Sequence, residues 1–127
     1  MGSGTGGFAT LYAVSKGTSI KERKSHFRAA VAFYPLCDVQ DFVPEAPVLI
    51  LMGEHSGWAP VEKCKALVDV GENDQEMTLK VYPGVYYFFD FKEAEKSNVH
   101  GIIQKYDPEA TANAIKLVKG FFAKHLQ

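Results

Sequence analysis

Short apolar segments dominate the pattern of hydrophobic positions along the chain. The clearest is Val48 to Met52, where apolar residues follow one another without interruption between Pro47 and Gly53. A run of this length without alternation is typical of a strand that is buried on both faces of a parallel sheet. A similar run from Ala29 to Tyr34 predicts a second strand, and the segment from Met77 to Tyr82 (MTLKVY) predicts a third.

Turn residues mark where these strands end. Pro35 follows the strand from Ala29 to Tyr34, and Pro83-Gly84 follows the strand from Met77 to Tyr82. Since proline cannot donate to a strand ladder, we expect each strand to stop there.

Helical spacing appears at the start of the chain and after the central strand. Phe8, Leu11, Tyr12 and Ser15 share one face, which predicts an amphipathic helix from Thr5 to Lys16, stopped by Gly17. Pro60 suits the first position of a second helix. The apolar stripe of this second helix comprises Val61, Cys64, Leu67 and Val68, and Gly71 ends it.

The third helix has a strong start signal. Asp107, Pro108 and Glu109 supply an N-cap, a proline at the first position and an acid in the first turn. The apolar residues that follow mark a closing helix packed on the sheet: Ala110, Ala114, Val118, Phe121, Phe122 and Leu126.

The order of these elements predicts an α/β fold with about three parallel strands, flanked by helices and joined by right-handed crossovers. We expect one domain over residues 1–127. The loop from Gly53 to Ala59 lies at the carboxyl edge of the sheet, where open α/β sheets place their chemistry. Residues 85–107 have little periodicity, and a loop of that length is usually functional or partly helical.

Composition narrows the classes of protein. The chain of 127 residues has 46% hydrophobic and 23% charged residues and a net charge of -1, which is an ordinary globular balance. We therefore expect no nucleic-acid partner, and we interpret the basic residues between Lys16 and Arg28 as solvated surface. No apolar run approaches the roughly 20 residues of a membrane span. Glycines directly after Met1 exclude a signal peptide, so the sequence predicts a cytoplasmic protein without membrane contact.

The glycine-rich start, Met-Gly-Ser-Gly-Thr-Gly-Gly, has three interpretations. It is a flexible terminus, a phosphate-binding loop, or a turn that leads into the first helix. The phosphate loop is the weakest, because no strand precedes the glycines and no lysine follows them. No cofactor is indicated, and no spacing of His, Cys and Asp predicts a metal site.

Several longer pieces occur together and in order. They are Ala30 to Cys37 (AVAFYPLC), Pro47 to Glu54 (PVLILMGE), Trp58-Ala-Pro60, Val81 to Gly84 with Phe89-Asp90, and Tyr106 to Ala110 (YDPEA). Together they resemble the dienelactone hydrolase family of the α/β-hydrolase superfamily, from Gly2 to Leu126. The resemblance covers only the C-terminal half of such an enzyme. It implies a truncated, α/β-hydrolase-like three-layer sandwich.

The family resemblance also implies a catalytic triad that cuts esters and lactones with a nucleophile, an acid and a histidine. The family's nucleophile, acid and histidine positions correspond here to Gly4, Ser56 and Tyr87. Glycine has no group that attacks a carbonyl, and tyrosine is a poor proton shuttle at neutral pH. Serine cannot stabilise a positively charged imidazole. All three positions therefore lack the family's chemistry, although the glycines that the turn needs remain.

Two neighbouring residues are weak substitutes, Ser3 beside the nucleophile position and His55 beside the acid position. We interpret the other histidines, His26, His100 and His125, as surface residues.

Two further features lie near the triad positions. The resemblance makes Asp90 a structural residue that hydrogen-bonds within a loop. The aromatic residues Tyr86, Tyr87, Phe88 and Phe89 fill the emptied site or else bind a ligand, and we favour filling.

In the same alignment, Cys37 follows the first predicted strand and Cys64 lies early in the helix after the central strand. Adjacent strands lie about 4.8 Å apart, so both cysteines could be neighbours at the carboxyl edge, within the roughly 7 Å between Cα atoms that a disulfide allows. Relatives of this type often carry both cysteines. The two cysteines either form a disulfide or remain as two reduced thiols, and the sequence slightly favours the reduced thiols.

Two hypotheses about function follow. The first is a dienelactone-hydrolase-like, non-catalytic binding or assembly module with a dismantled triad. The second is an ester or lactone hydrolase that uses unconventional residues or a site completed by another chain. In both, a small ester or lactone is the candidate ligand. We also expect a homodimer, through the edge of the strand from Ala29 to Tyr34 or through the helix from Thr5 to Lys16.

Overall fold

A computed structural model describes residues 1–15, 27–39, 42–57, 59–69, 75–97 and 102–126. Trp58, His26, His100 and most of the basic segment between Lys16 and Arg28 lie outside the described residues.

The described residues form a four-stranded parallel sheet in sequence order. Its strands are β1 (Gly2–Ser3), β2 (Ala30–Phe33), β3 (Val48–His55) and β4 (Met77–Tyr86), and its helices are α1 (Thr5–Val14), α2 (Val61–Asp69) and α3 (Pro108–His125). The α/β fold is confirmed. The three predicted strands are β2, β3 and β4, and β1 is a strand that the sequence analysis missed.

The two central strands form the core of the sheet. All four residues of β2 are buried, and so is β3 from Val48 to Gly53. β2 and β3 run in register from Ala30 opposite Val48 to Phe33 opposite Leu51. This continuous burial on both faces is what the unbroken apolar runs predicted.

The first helix differs from its prediction in length and in orientation. α1 ends at Val14, because the Ser15 backbone is extended and bridges to Pro44. Its buried positions are Gly7, Leu11 and Val14. The predicted stripe is therefore wrong in part, since Tyr12 is 45% exposed. Gly7 allows this face of the helix to pack closely on Pro35, because a Cβ atom added to Gly7 would lie 3.0 Å from the Pro35 Cβ.

The last strand continues through its predicted stop. β4 runs past Pro83 and Gly84 to Tyr86. It is an edge strand, where proline is tolerated, and the ladder resumes with Tyr86 opposite His55 after an irregularity. Gly84 takes a φ of 69°, and its N–H donates to the Glu54 carboxylate at 3.1 Å.

The closing helix begins as predicted. Asp107 caps α3, with its carboxylate accepting from the Ala110 N–H at 2.9 Å, and Pro108 is the first helical residue. Ala110, Ala114 and Phe121 are buried, whereas Leu126 at the end of the predicted stripe is exposed.

Cys37 and Cys64 are joined by a disulfide, with 5.0 Å between their Cα atoms. The predicted proximity is confirmed, and the preference for two reduced thiols is wrong. The bridge links the loop after β2 to α2, and both half-cystines are buried. Pairing of β2 with β3 brings the segments after these strands to one edge, which places the two cysteines within bridging range.

The outer edge of β2 is partly covered. Gly2 and Ser3 of β1 pair with Ala32 and Phe33. The dimer expectation assumed that this edge was open along its whole length, and that assumption is wrong. Within the described ranges, no further strand pairs with the outer side of β1 or, on that edge, with the part of β2 that precedes Ala32. Among the described helices, none combines the length and apolar character that crossing a bilayer requires.

Candidate functional site

The turn between β1 and α1 is the structural centre of the candidate site. Gly4 links the strand to the helix with φ 54° and ψ -119°, a conformation that glycine adopts far more readily than other residues. Its N–H donates to the Phe33 carbonyl oxygen at 3.0 Å, which anchors the turn to β2. A sharp strand-to-helix turn is the geometry that exposes a nucleophile in α/β-hydrolases. The structure supports the third interpretation of the glycine-rich start, a turn that leads into the first helix.

Tyr87 lies directly over this turn. A Cβ atom added to Gly4 would lie 2.8 Å from the Tyr87 hydroxyl oxygen, with Phe88 and Tyr34 ring atoms next at 3.8 and 3.9 Å. The phenol hydroxyl therefore occupies the space into which a nucleophilic side chain would project. The structure brings Gly4 and Tyr87 together.

Ser56 serves its own loop. Its side chain is 3% exposed, and its hydroxyl donates to the Ala59 carbonyl oxygen. The Ala59 N–H returns a hydrogen bond to the Ser56 carbonyl oxygen at 3.1 Å, which closes a tight turn. Ala59 lines the same cavity as Gly4 and Tyr87. Ser56 therefore holds Ala59, a wall residue, in place without itself lining the cavity.

A cavity of about 430 Å³ opens beside the turn. Its lining residues are Gly4, Thr5, Phe8, Leu36, Ala59, Tyr87, Phe88 and Gln104. We call it the Gly4 cavity. It has the form of a small-molecule site, with mainly apolar walls and a few polar groups. Sequence reasoning missed Phe8, Leu36 and Gln104 as wall residues, because no motif marks them and only the fold brings them together.

Some polar groups of the Gly4 cavity can donate hydrogen bonds, while the Gln104 amide in its wall carries both a donor and an acceptor. α1 begins at Thr5, which lines the cavity, and the first N–H groups of the helix are not capped by a side chain or matched by an acidic residue in the first turn. Tyr87 is 8% exposed, and within the described part of the chain its hydroxyl has no hydrogen-bond partner. Burial raises the pKa of Tyr87, which keeps the phenol protonated at neutral pH. It is a donor and not a base.

Aromatic rings pack around Tyr87. Its ring centroid lies 4.9 Å from that of Tyr34 and 4.6 Å from that of Phe88. The expectation that the aromatic residues fill the emptied site holds only in part: Tyr87 takes the place of a nucleophilic side chain, and a cavity remains.

Ser3 belongs to a chain of hydrogen bonds that does not activate it. Its hydroxyl hydrogen-bonds to Tyr34, and the Tyr34 hydroxyl donates to an Asp90 carboxylate oxygen at 2.6 Å. Burial, with the Asp90 hydrogen bond and charge adding to it, raises the pKa of Tyr34 well above its usual range. The phenol keeps its own proton and leaves that of Ser3 in place. Asp90 is a loop hydrogen-bonder, as expected.

His55 faces a different cleft. Its Nε2 lies 3.3 Å from a Glu54 carboxylate oxygen, and its ring packs on Tyr86 at 5.0 Å between centroids. The cleft of about 260 Å³ that it lines shares no residue with the Gly4 cavity. The structure therefore does not unite the two candidate substitutes, Ser3 and His55, at one site.

His125 is not a surface histidine. Its side chain is only 14% exposed, lies 4.6 Å from Phe121 between ring centroids and has its Nε2 3.2 Å from a Glu76 carboxylate oxygen. Within the residues described, no group of three His, Cys, Asp or Glu side chains could hold a metal ion.

A family model matches most of the chain, although the turn at Gly4 precedes the first matched residue. The family model described as "Dienelactone hydrolase family" matches residues 7–126, nearly all of the chain. A comparison with curated proteins gave no match. The strand-turn-helix at Gly4 and the parallel sheet are the parts of the structure that a hydrolase-like fold requires. The chain belongs to the dienelactone hydrolase family.

Proposed function

We propose that the protein binds small acyl compounds, namely carboxylates, esters or lactones, in the Gly4 cavity without cleaving them. The observation that carries the proposal is the position of the Tyr87 hydroxyl at the space of the missing nucleophilic side chain. The turn at Gly4, a helix start without a side-chain cap and mainly apolar cavity walls support binding. The residues at the positions that the family resemblance assigns to the triad are Gly4, Ser56 and Tyr87, whose side chains do not suit its chemistry, and this argues against cleavage.

The donors of the cavity suit an acyl oxygen. The first N–H groups of α1 carry partial positive charge, and the Tyr87 hydroxyl supplies a second donor from the opposite wall. A carbonyl or carboxylate oxygen that accepts from both would lie in the cavity beside the Tyr87 hydroxyl, near the start of α1. The ligand's apolar part would then contact Phe8, Leu36 and Phe88. The apolar walls favour a compact ligand with an aromatic or alkyl body.

Benzoate is a suitable probe, because it presents a carboxylate on an apolar ring and does not react. We expect benzoate to bind and benzyl alcohol, which lacks the acceptor pair, to bind much more weakly. Tyr87→Phe should lower the benzoate affinity about tenfold, since a hydrogen bond to a charged group is lost. Tyr86→Phe is the matched control, because Tyr86 lines the neighbouring cleft. Calorimetric titration that finds equal affinities for the wild type and Tyr87→Phe would reject the proposal.

The second candidate is an ester or lactone hydrolase that uses Ser3 or His55, or a site completed by another chain. The hydrogen bond between Ser3 and Tyr34 is the observation in its favour. Against it stand the raised pKa of Tyr34, which removes the base, and the separate cleft of His55. Covalent labelling at Ser3 by a fluorophosphonate would decide for this candidate.

A further inference from the structure

A second cleft shares Phe88 with the Gly4 cavity. It has a volume of about 330 Å³ and is lined by Tyr34, Phe88, Asp90 and Phe91. We call it the Asp90 cleft. Three of its four lining residues are aromatic and the fourth carries a carboxylate. No motif in the sequence assigns it a role.

The rings of the Asp90 cleft form walls at steep angles to one another. The Phe88 and Phe91 centroids are 6.3 Å apart with 76° between their planes, and the Tyr34 and Phe88 centroids are 5.4 Å apart with 73° between planes. Angled rings offer more than one π face to a single guest. A cation within about 6 Å of such a centroid is attracted by the ring quadrupole.

Asp90 supplies a negative charge that the described residues leave largely uncompensated. Its carboxylate accepts a hydrogen bond from the Tyr34 hydroxyl, a neutral donor. Over the described ranges, no lysine, arginine or histidine lies at ion-pair distance from it. A neutral apolar guest would remove water from this carboxylate without replacing it, which costs free energy. A cationic guest would compensate the charge.

The backbone holds the aromatic walls in place at a cost. Tyr34 has a φ of 39° and Phe88 a φ of 56°, and among the described residues these are the non-glycine positions with positive φ. Such conformations cost on the order of 1–3 kcal/mol each and cluster at functional sites. Both residues line the Asp90 cleft. The Phe91 N–H donates to the Phe88 carbonyl oxygen at 3.0 Å, which fixes the spacing of the two phenylalanines.

We propose that the Asp90 cleft binds a small organic ammonium ion, with the cation over the rings of Phe88 and Phe91 and beside the carboxylate of Asp90. The site is separate from the Gly4 cavity, although Phe88 contributes to both. The proposal stands whether or not the Gly4 cavity binds acyl compounds. A ligand that carries both an acyl and an ammonium group could reach both clefts across Phe88.

The test compares choline with its neutral carbon isostere, 3,3-dimethylbutan-1-ol, on the full chain at constant ionic strength. The two compounds have nearly the same shape, so their difference reports the charge. We expect choline to bind in the millimolar range or tighter and the isostere about tenfold more weakly. Chemical-shift titration of the Phe88 and Phe91 ring protons locates the site. Equal binding of the two compounds, or no choline-dependent shift, overturns the proposal.

Two variants assign the effect to the cleft. Asp90→Asn keeps the acceptor for Tyr34 and should lower the choline affinity about tenfold, while Asp69→Asn on the exposed face of α2 should leave it unchanged. Phe91→Leu should lower it several-fold, and Tyr12→Leu should not. Phe91 is 48% exposed, so this variant decides the matter if Asp90→Asn fails to fold. Wild-type choline affinity in folded Phe91→Leu also overturns the proposal.

Discussion

The contact between Gly4 and Tyr87 defines the chemistry of the site at the residue scale. Gly4 adopts the backbone conformation that the turn needs. Because Gly4 has no side chain, the Tyr87 hydroxyl can occupy the space where a side chain at position 4 would project. The two residues fit each other: a Cβ at Gly4 would press on the Tyr87 phenol, and a shorter residue at position 87 would leave a gap.

A double-mutant cycle tests this contact. Gly4→Ala should destabilise the fold by about 1–3 kcal/mol from backbone strain alone, with a further cost from the contact with the hydroxyl. In a Tyr87→Phe background that further cost should disappear, so the two changes should couple by roughly 0.5–3 kcal/mol. Urea denaturation of the four proteins measures the coupling. Independent, additive effects would mean that the hydroxyl does not lie over Gly4.

Which residues the sequence could predict depends on how local their signals are. Gly4, Ser56 and Tyr87 were placed by motifs of a few residues each, and the structure brings Gly4 and Tyr87 into one cavity, with Ser56 behind its Ala59 wall. The bond between Tyr34 and Asp90 spans 56 positions and has no local signal. The cavity that remains beside Tyr87 depends on how rings pack, which the residue types alone do not determine.

Among the secondary-structure elements, pairing between segments distant in sequence determines where β4 and α1 end, and local sequence signals predict these ends wrongly. Pro83-Gly84 did not end β4, because an edge strand tolerates a proline and can resume its ladder after an irregularity. Ser15 ended α1 before Gly17, because its extended backbone pairs with Pro44. The cap of α3 was predictable, since Asp107 and Pro108 act within one turn. The sequence favours reduced thiols over the disulfide because bridging depends on how the loop after β2 and α2 pack together, which no local signal reports.

The disulfide should contribute substantially to stability. It closes a sequence separation of 27 residues, and loop-closure entropy predicts about 3–4 kcal/mol for a bridge of this span. Reduction by dithiothreitol should therefore lower the urea midpoint of the wild type. The Cys37→Ala/Cys64→Ala variant is the control, since its midpoint should be low and insensitive to the reductant. An unchanged midpoint on reduction of the wild type would show that the bridge does not stabilise the fold.

Tyr82 of β4 connects the sheet to α3 and should make stability fall at high pH. Its hydroxyl donates to the Asn113 side-chain oxygen at 2.8 Å, and burial raises the pKa of Tyr82 from 10.0 to about 12. Below pH 10 the phenol is neutral in both states, so its contribution is fully present. Between about pH 10 and 12 the unfolded chain ionises first, and stability is lost.

Melting temperatures between pH 8 and 11 measure this fall. Tyr82→Phe should be less stable than the wild type below pH 10 but lose less stability above it, because one of the shifted phenols is gone. Tyr12→Phe, at an exposed position of α1, should keep the wild-type profile. A Tyr82→Phe profile as steep as that of the wild type would exclude Tyr82 as a contributor.

For the molecule as a whole, β1 is one of the two edge strands, and among the described residues no further strand pairs with it beyond β2. Beside β1, an apolar groove of about 220 Å³ is lined by Met1, Ala9, Thr10, Ala13, Val14, Phe27, Ala29 and Ala30. An edge strand beside apolar surface is suited to pairing with another chain. The cytoplasmic location expected from the sequence stays a prediction, which the disulfide does not favour.

We propose that a second copy of the chain covers this side, because an isologous contact lets one patch cover its own counterpart. Phe27 is 51% exposed within the groove, so Phe27→Glu should shift a dimer toward monomer. Leu126→Glu, at a similarly exposed position at the end of α3, is the control and should remain dimeric. Sedimentation equilibrium at micromolar concentration gives the masses. A wild-type 14.0 kDa monomer would contradict the dimer.

We propose that the residues at the family's triad positions do not react with acyl compounds. Intact-mass spectrometry after incubation with a fluorophosphonate tests it directly, because this reagent modifies activated serine hydroxyls and the adduct can be mapped. A serine hydrolase of the same superfamily is the positive control, and Ser3→Ala is the matched variant. We predict that the wild type stays unmodified while the control is fully labelled. A stoichiometric adduct on Ser3, absent from Ser3→Ala, would contradict the account.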